Sequence, residues 1–225
     1  MKAEYIDHMG DDLRVVNAAR VSFDKESDWC KPNGNPHDYG LEELREADKK
    51  LINFLAREEH WTPFAHCVVT LRETVPIFVA RQRFKHTVGF VYNEVSRRYV
   101  SSEPEFYTPS VWRKAAENVK QGSSDEPVEW QEDANDDYRG TIYQLYTIYK
   151  IWIDSGMCPE QARMILPQSM YTSYYVTGSL AAWARAYKLR SDSNAQKEIQ
   201  DLAQQWDEII RPLFPHSWEA LTNAA

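Results

Sequence analysis

Residues 81–99 read Arg81-Gln-Arg-Phe-Lys-His-Thr-Val-Gly-Phe-Val-Tyr-Asn-Glu-Val-Ser-Arg-Arg-Tyr99, and the rest of the chain is interpreted around this signature segment. It holds five Arg or Lys residues and one acid, Glu94, whereas the whole chain of 225 residues carries a net charge of −8. A local cationic patch attracts anions that the rest of an acidic surface repels. The segment therefore indicates a site for an anion such as a nucleotide. The charge pattern alone is equally consistent with a solvated basic helix that binds no ligand.

The front half of the signature segment predicts a helix that begins near Pro76, a residue suited to a first turn. One apolar face recurs at the helical spacing: Ile77, Ala80, Phe84 and Val88. Gly89 is placed to end this helix. The spacing puts Gln82, Lys85 and His86 on a second flank. A polar loop then holds Asn93, Glu94, Ser96 and Arg98, so helix flank and loop together predict a nucleotide pocket.

The remaining sequence predicts more helices than strands. Strand-like segments occupy residues 3–8, 67–71 and 170–176, and residues 99–107 are expected to be extended. Helices are expected at 13–21, 41–60, 111–119, 142–152, 159–164, 179–189 and 195–213, with Pro215 closing the last. An acidic segment at about 122–137 predicts a mobile surface loop. Because helices and strands do not alternate regularly, we expect an α+β fold, a small antiparallel sheet covered by helices in a single domain of residues 1–225.

Several functional classes are disfavoured by composition. No Gly-x-Gly occurs, so a Rossmann fingerprint and a phosphate loop are both absent. Cys30, Cys67 and Cys158 are scattered, which predicts no disulfide framework, no zinc site and a reducing compartment. No apolar run approaches the length of a membrane span, and no secretory signal is evident. We expect a cytoplasmic protein, of a bacterium or of an infected host if phage-encoded, without a bound metal.

The signature segment resembles that of flavin-dependent thymidylate synthases, which is Arg-His-Arg, a short spacer and Asn-Glu-x-Ser-x-Arg-Tyr. The second half is matched by Asn93, Glu94, Ser96, Arg98 and Tyr99. The first half departs, because Lys85-His86-Thr87 stands where Arg-His-Arg is usual and the spacer is one residue longer.

Three further patches resemble the same family in the same order. They are His60-Trp-Thr62-Pro-Phe-Ala65-His66, Ala162-Arg163-Met-Ile-Leu-Pro167 and Leu189-Arg190-Ser-Asp-Ser-Asn-Ala-Gln-Lys-Glu-Ile199. Ala65 replaces the usual Glu. Taken alone, each has an ordinary interpretation: a capped turn with two histidines, an isolated surface charge, and a helix cap at Asp192 or Ser193 beside an incidental Arg.

The resemblance implies a homotetramer with active sites between subunits. It implies binding of FAD, dUMP, a reduced nicotinamide (NADPH) and methylenetetrahydrofolate, with dTMP as product and no nucleic-acid or membrane partner. The implied dUMP contacts are Gln82, Arg83, Phe84, Lys85, Glu94, Val95, Ser96, Arg97, Arg98, Arg163 and Arg190. The implied FAD contacts are Thr62, Lys85, His86, Thr87, Glu94, Ser179, Leu180, Ala181 and Arg185.

Physical chemistry assigns roles to some of these residues. A phosphate needs fixed cationic donors, for which Arg98 and Arg163 are suited, with Gln82 and the loop amides around Ser96. Arg190 is the expected catalytic residue, because its guanidinium can stabilise charge that develops on the uracil ring. We expect no protein nucleophile, because Cys67 lies in an apolar strand and neither Cys30 nor Cys158 is expected to have a lowered pKa. Two alternatives stay open: a catalytically impaired relative, since Thr87 lacks the usual cation, and a nucleic-acid-binding module using the basic segment.

Overall fold

The computed structural model describes residues 1–31, 42–100, 102–117 and 123–223. Its strands are β1 (Lys2–Met9), β2 (Val68–Pro76), β3 (Phe90–Glu94), β4 (Arg113–Ala115), β5 (Ser123–Pro127) and β6 (Tyr171–Ser179). Its helices are α1 (Asp12–Arg20), α2 (Glu46–Arg57), α3 (Ile77–Arg83), α4 (Gln131–Asp154), α5 (Pro159–Ala162), α6 (Leu180–Arg190), α7 (Lys197–Ile210) and α8 (Pro215–Asn223).

Four strands form an antiparallel sheet in the order β1-β2-β6-β3, and β4 pairs with β5 separately. The two central strands alternate between the core and the opposite face, as a half-buried sheet requires. Val69 and Leu71 of β2 are fully buried, as is Val176 of β6, which pairs with Leu71. The opposite face carries polar pairs such as Thr70 with Thr177, whose hydroxyl oxygens lie 2.9 Å apart.

Helices cover the apolar face of this sheet. One connected core joins α1, α2, α6, α7 and α8 to β2 and β6, and its largest fully buried rings are Trp183, Trp206, Trp218 and Phe214. The α+β fold with a small antiparallel sheet covered by helices is thus confirmed. The start of α1 is capped by Asp11, whose Oδ1 accepts from Arg14 N at 2.8 Å.

The close pairing of β3 with β6 depends on a glycine. Phe90 lies opposite Gly178, and a Cβ built on Gly178 would meet Phe90 Cδ1 at 2.3 Å. That distance is far below any real contact between carbon atoms. The ring of Phe90 therefore occupies the space that a side chain at position 178 would need.

The predicted signature helix is too long. α3 ends at Arg83 rather than near Gly89, and Pro76 precedes the helix as its N-cap. The Arg83 carbonyl accepts from His86 N at 3.1 Å in a tight turn, and the His86 carbonyl accepts from the Tyr92 hydroxyl at 2.7 Å. The expected shared flank of Gln82, Lys85 and His86 is therefore wrong.

The polar loop expected at Asn93 and Glu94 is wrong, because both residues belong to strand β3. Both residues pair with β6, opposite Tyr175 and Tyr174, so the loop begins only at Val95. Gly89, at φ +80°, forms the turn that enters β3.

Two other expectations need correction. The helix expected at 111–119 is wrong, because Arg113–Ala115 pairs as strand β4. The mobile loop expected at 122–137 is also wrong over the residues that the structure describes, 123–137. Strand β5 occupies Ser123–Pro127, and α4 begins at Gln131 with Glu132 and Asp133 in its first turn. Acidic residues there favour a helix N-terminus rather than a loop.

Two helix boundaries also differ. α2 begins at Glu46, after an isolated bridge between Cys30 and Glu43, while residue 41 lies outside the described part. α7 ends at Ile210, and Pro215 opens α8 instead of closing the preceding helix, a position that its fixed φ suits.

Candidate active site

The second half of the signature segment opens into a cavity of about 680 Å³, here called the signature cavity. Its walls include Glu94, Val95, Ser96, Arg97 and Arg163, together with Arg72, Thr74 and Ser173 from the polar face of β2 and β6. Two patches far apart in sequence thus meet in space. The cavity also contains Glu103, Glu105 and Glu160, so carboxylates accompany its arginines.

Hydrogen bonds to β6 and within the turn fix the loop that follows β3. Val95 N donates to Ser173 O at 2.9 Å, and the Glu94 carboxylate accepts from Thr172 Oγ1 at 2.6 Å. Ser96 accepts twice, at its carbonyl from Tyr99 N at 3.0 Å and at its hydroxyl from Arg98 N at 3.3 Å. The Ser96 hydroxyl proton remains free to point at a ligand, since the oxygen is the acceptor in this turn.

Arg98 and Arg97 are both engaged within the chain. The Arg98 guanidinium forms an ion pair with Glu160, and both side chains are about half exposed. Arg98 also lies over the Tyr99 ring, 5.3 Å from its centroid, while Arg97 Nη1 donates to Ser102 O. Arg98 would have to leave Glu160 to bind a phosphate with its full charge.

A second cavity of about 650 Å³, here called the Arg190 cavity, lies at the end of α6. It is lined by Gln82, Lys188, Leu189, Arg190, Asp192, Asn194, Ala195 and Gln196. Arg190 Nε donates to His86 Nε2 at 2.8 Å, and Arg190 Nη2 donates to Gln82 O at 3.4 Å. Among the described residues the two cavities share no wall residue.

His86 is held as a neutral imidazole. Burial lowers its pKa to about 4, and the positive charges of Arg190, Arg83 and Arg185 act in the same direction. Nε2 therefore accepts from Arg190 and the ring proton resides on Nδ1. Burial and the charge of Arg83 also lower the pKa of Arg190, although a guanidinium stays charged at neutral pH.

The nucleotide contacts expected from the side chains of Arg83 and Phe84 need correction. Arg83 is fully buried, with Nε 3.3 Å from Glu73 and Nη1 donating to the Tyr92 hydroxyl at 2.7 Å. Its guanidinium lies within 5.3 Å of four ring centroids: those of Phe90, Tyr92, Trp183 and Trp206. The Phe84 ring packs edge-on against Tyr174 at 4.8 Å. The Arg83 side chain is therefore part of the core, and neither Arg83 nor Phe84 is a wall residue of the signature cavity or of the Arg190 cavity.

Several predicted flavin residues lie at the turn that precedes β3, whereas Glu94 lies in the signature cavity. Lys85 and Thr87 are exposed there, and Arg185 Nη2 donates to Val88 O at 2.5 Å. Thr62 is exposed before the short 3₁₀ turn Pro63–His66, which packs against α6. Lys85 therefore stands away from both named cavities, on the exposed side of the turn.

A helix that begins at Ser179-Leu180-Ala181 suits flavin contact through its backbone N–H groups, but most of these groups are engaged within the protein. Ser179 caps the helix, its hydroxyl accepting from Ala182 N at 3.2 Å. Ser179 N donates to Gly89 O at 3.1 Å and Leu180 N donates to Cys67 O at 2.9 Å. The Leu180 side chain is fully buried. Two of the three N–H groups expected to contact FAD at Ser179–Ala181 thus already have partners.

Three contacts in the site were missed from sequence. Gln196 bonds Gln82, Thr172 bonds Glu94, and Glu160 bonds Arg98. The expected helix cap at Asp192 or Ser193 is wrong, because α7 begins after Gln196. The sequence Gln196-Lys-Glu198, directly before the buried Ile199, was the signal for where α7 begins.

Cys67 is not prepared for nucleophilic attack. Burial raises the pKa of the Cys67 thiol to about 12, and its Sγ faces the Asp11 carbonyl at 3.5 Å. No group of three His, Cys, Asp or Glu side chains in the described residues could hold a metal ion.

A family profile described as thymidylate synthase complementing protein matches residues 4–216. A flavin-dependent thymidylate synthase of Thermosipho africanus is 36% identical over 221 residues, covering 98% of this chain and 90% of the relative. The chain belongs to the flavin-dependent thymidylate synthase family. Another family member, from Thermus thermophilus, is 36% identical over 215 residues, which cover 96% of this chain and 73% of the relative.

A solved structure has the same fold. The UMP/dUMP methylase PolB of Streptomyces cacaoi, bound to 5-Br dUMP, superposes with a TM-score of 0.82 at 28% identity, covering 99% of this chain and 94% of PolB. A second PolB structure contains 5-Br UMP. The predicted family and enzyme class, a flavin-dependent thymidylate synthase and hence a methyltransferase, are thereby confirmed. Within the described residues of this family member, no helix is long and apolar enough to cross a bilayer.

Proposed function

We propose that the protein converts dUMP to dTMP by reductive methylation, with methylenetetrahydrofolate as carbon donor, FAD as hydride carrier and NADPH as reductant. The observation that carries this proposal is the meeting of Ser96, Arg97 and Arg163 in one cavity beside Glu94. Guanidinium groups and a serine hydroxyl on one wall suit a nucleotide phosphate. The cytoplasmic location belongs to the same proposal.

The nucleotide site is proposed to lie between subunits of a homotetramer. The phosphate-binding set and Arg190 line cavities without a common wall residue among those described, so one nucleotide would contact both sets most readily if two chains supplied them. The outer face of α4 supports assembly. Tyr143 is 72% exposed and Ile151 56% exposed, and apolar residues at such exposure are typical of an interface.

Arg190 is proposed to act on the pyrimidine ring. Its Nε is occupied by His86 and one Nη2 hydrogen by the Gln82 carbonyl, which leaves Nη1 and the second Nη2 hydrogen to donate to the ring edge where negative charge develops. A donor that is already oriented needs no reorganisation during the reaction, which is the source of its catalytic effect. The neutral state of His86 preserves this orientation at physiological pH.

The residues around the turn before β3 fit an anionic cofactor. Lys85 and Arg185 offer exposed cations there, and Thr87 offers a hydroxyl between them. We propose that Lys85, Thr87, Arg185 and Thr62 hold FAD, with His86 and Glu94 nearby. Bound FAD supplies the hydride that turns the transferred carbon into a methyl group. The backbone N–H of Ala181 is the remaining proposed contact at the start of α6.

The proposal is tested by release of tritium from dUMP labelled at C5. Purified protein with FAD, NADPH and methylenetetrahydrofolate is expected to release tritium and form dTMP, and to show a yellow flavin spectrum. UMP serves as the matched substrate, because PolB is a methylase of both nucleotides. A protein that binds dUMP and FAD without releasing tritium would be the impaired relative instead. Salt-sensitive binding of single-stranded nucleic acid would favour the remaining alternative.

A further inference from the structure

Glu198, at the start of α7, is a buried carboxylate next to the Arg190 cavity. Only 5% of its surface is exposed. Its Oε1 accepts from Arg113 Nη2 at 2.9 Å and its Oε2 accepts from Gln196 Nε2 at 2.8 Å. A buried carboxylate is costly unless it is paired in this way, so both of its oxygens hold their neighbours firmly.

The bonds of Glu198 set the direction of a hydrogen-bond chain. An ionised carboxylate only accepts, so Gln196 must turn its NH₂ group toward Glu198. The Gln196 carbonyl oxygen then faces Gln82, and Gln82 must donate to it through Nε2. The negative charge of Glu198 therefore sets the orientation of the Gln82 amide, through the Gln196 side chain that lies between them.

Gln82 is a wall of the Arg190 cavity, as is Gln196. The main-chain oxygen of Gln82 also accepts from Arg190 Nη2 at 3.4 Å. The end of the hydrogen-bond chain thus lies beside the group proposed to act on the pyrimidine.

We infer that Glu198 is a positioning residue for the uridine nucleotide: through Gln196 it holds the Gln82 amide in the single orientation that the nucleotide uses. This inference rests on the proposed function. A merely structural role is the competing explanation, since the ion pair between Arg113 and Glu198 also joins β4 to α7.

Glu198→Gln tests the inference with little change of shape. The new amide keeps its oxygen toward Arg113, so its NH₂ group faces Gln196. Gln196 must then turn its carbonyl oxygen to position 198 and its NH₂ group to Gln82, which reverses the Gln82 amide. The dissociation constant for dUMP, measured by calorimetry on FAD-loaded protein, is expected to rise about tenfold, the effect of one well-made hydrogen bond. The flavin spectrum and the rate at saturating dUMP are expected to change little.

The double variant Glu198→Gln/Gln196→Glu exchanges the carboxylate and the amide between positions 198 and 196. Gln82 should still donate to position 196, as it does in the wild-type protein. A carboxylate at position 196 accepts from Gln82 and also from the amide at position 198, so the Gln82 amide regains its orientation. The dUMP affinity is expected to return to within about threefold of wild type. A structural role predicts no such recovery, because the double variant does not restore the ion pair with Arg113.

Gln196→Ala provides a further variant that leaves Arg113 and Glu198 paired, should Glu198→Gln fold poorly. It is expected to weaken dUMP binding as Glu198→Gln does. Unchanged dUMP affinity in folded Glu198→Gln or in Gln196→Ala, or no recovery in the double variant, would overturn this inference alone. Wild-type protein that binds no dUMP would overturn the proposed function as well.

Discussion

Arg190 and His86 form one unit, in which a charged guanidinium donates from Nε to the neutral imidazole at 2.8 Å. The two residues are 104 positions apart in the chain, and the contact joins the end of α6 to the turn after α3. Because the low pKa of His86 keeps it an acceptor, Arg190 has one orientation rather than several. The predictions about each residue follow from this pair.

Cutting Arg190 back to alanine separates binding from chemistry. Arg190→Ala is expected to lower dTMP formation by on the order of 10²–10³-fold, the usual loss for one preorganised donor. Reduction of the flavin by NADPH does not involve the uracil ring and should persist. Both rates are measured on the same preparation, the second under anaerobic conditions. Arg190→Lys should recover little, since a point charge does not present two aligned donors. Near-normal dTMP formation in Arg190→Ala would show that the pyrimidine lies elsewhere.

His86 should make stability depend on pH. Its folded pKa of about 4 lies below the ordinary value of 6.5, so between these values the unfolded chain binds a proton that the folded protein excludes. The free energy of unfolding therefore rises with pH between about 4 and 6.5, and the contribution of neutral His86 is lost as the pH falls through this window. His86→Gln, whose amide oxygen also accepts from Arg190, should lack this part of the slope. Denaturant titrations at several pH values measure the difference, and parallel curves for both proteins would contradict the prediction.

The ion pair between Arg98 and Glu160 should compete with the nucleotide phosphate. Glu160→Gln frees the Arg98 guanidinium, and dUMP is expected to bind about threefold more tightly, as suits a partly exposed pair. The gain should shrink at high salt. Glu103→Gln is the matched control, because Glu103 also lines the signature cavity without pairing Arg98. An equal gain in the control would assign the effect to net charge.

Thr87 stands exposed where the family usually has arginine, so FAD should bind more weakly than in relatives with the complete triplet. Thr87→Arg is expected to tighten FAD binding about threefold by adding one exposed cation. Thr87→Gln has similar reach without charge and should have little effect. Quenching of flavin fluorescence at two salt concentrations measures both. Tight, fully occupied FAD in the wild-type protein would contradict the expected weakness.

A charge on the outer face of α4 should break the proposed tetramer. Tyr143→Glu is expected to weaken assembly on the order of 10²-fold, because an unpaired carboxylate would be buried between subunits. Gln144→Glu adds the same charge at the neighbouring exposed position and is the control. Light scattering after size-exclusion chromatography gives the mass of each. A tetramer that tolerates Tyr143→Glu, or a wild-type monomer, would rule out this interface.

Local patterns predicted much of the fold. Strands at residues 67–71 and 170–176 and a helix at 179–189 were predicted from local sequence, and β2, β6 and α6 lie there, although β2 continues to Pro76. The end of α3 was missed because a distant hydroxyl decides it. The Tyr92 hydroxyl donates to the His86 carbonyl at 2.7 Å, an oxygen that a longer helix would have used. The spacing of apolar residues does not reveal that a side-chain hydroxyl will bond a backbone carbonyl and so end the helix.

The site was predictable in its residue types but not in its grouping. Signature patterns identified Ser96, Arg163 and Arg190 as polar residues of interest, yet only the fold separates Arg190 from the other two. Arg83 has the same charge as its neighbours in sequence. Its burial against Glu73 depends on the placement of β2 beside β6, which charge counting does not reveal.

The contact between Gly178 and Phe90 has a consequence for how this protein can change over generations. Alanine at position 178 would displace the Phe90 ring, and that ring lies 4.4 Å from the Arg83 guanidinium. Arg83 Nη1 in turn donates to the Tyr92 hydroxyl, which donates to the carbonyl of His86, the partner of Arg190. Natural selection for catalysis would therefore act on a residue that has no side chain and touches no ligand. Drift at position 178 would be as restricted as drift in the active site itself.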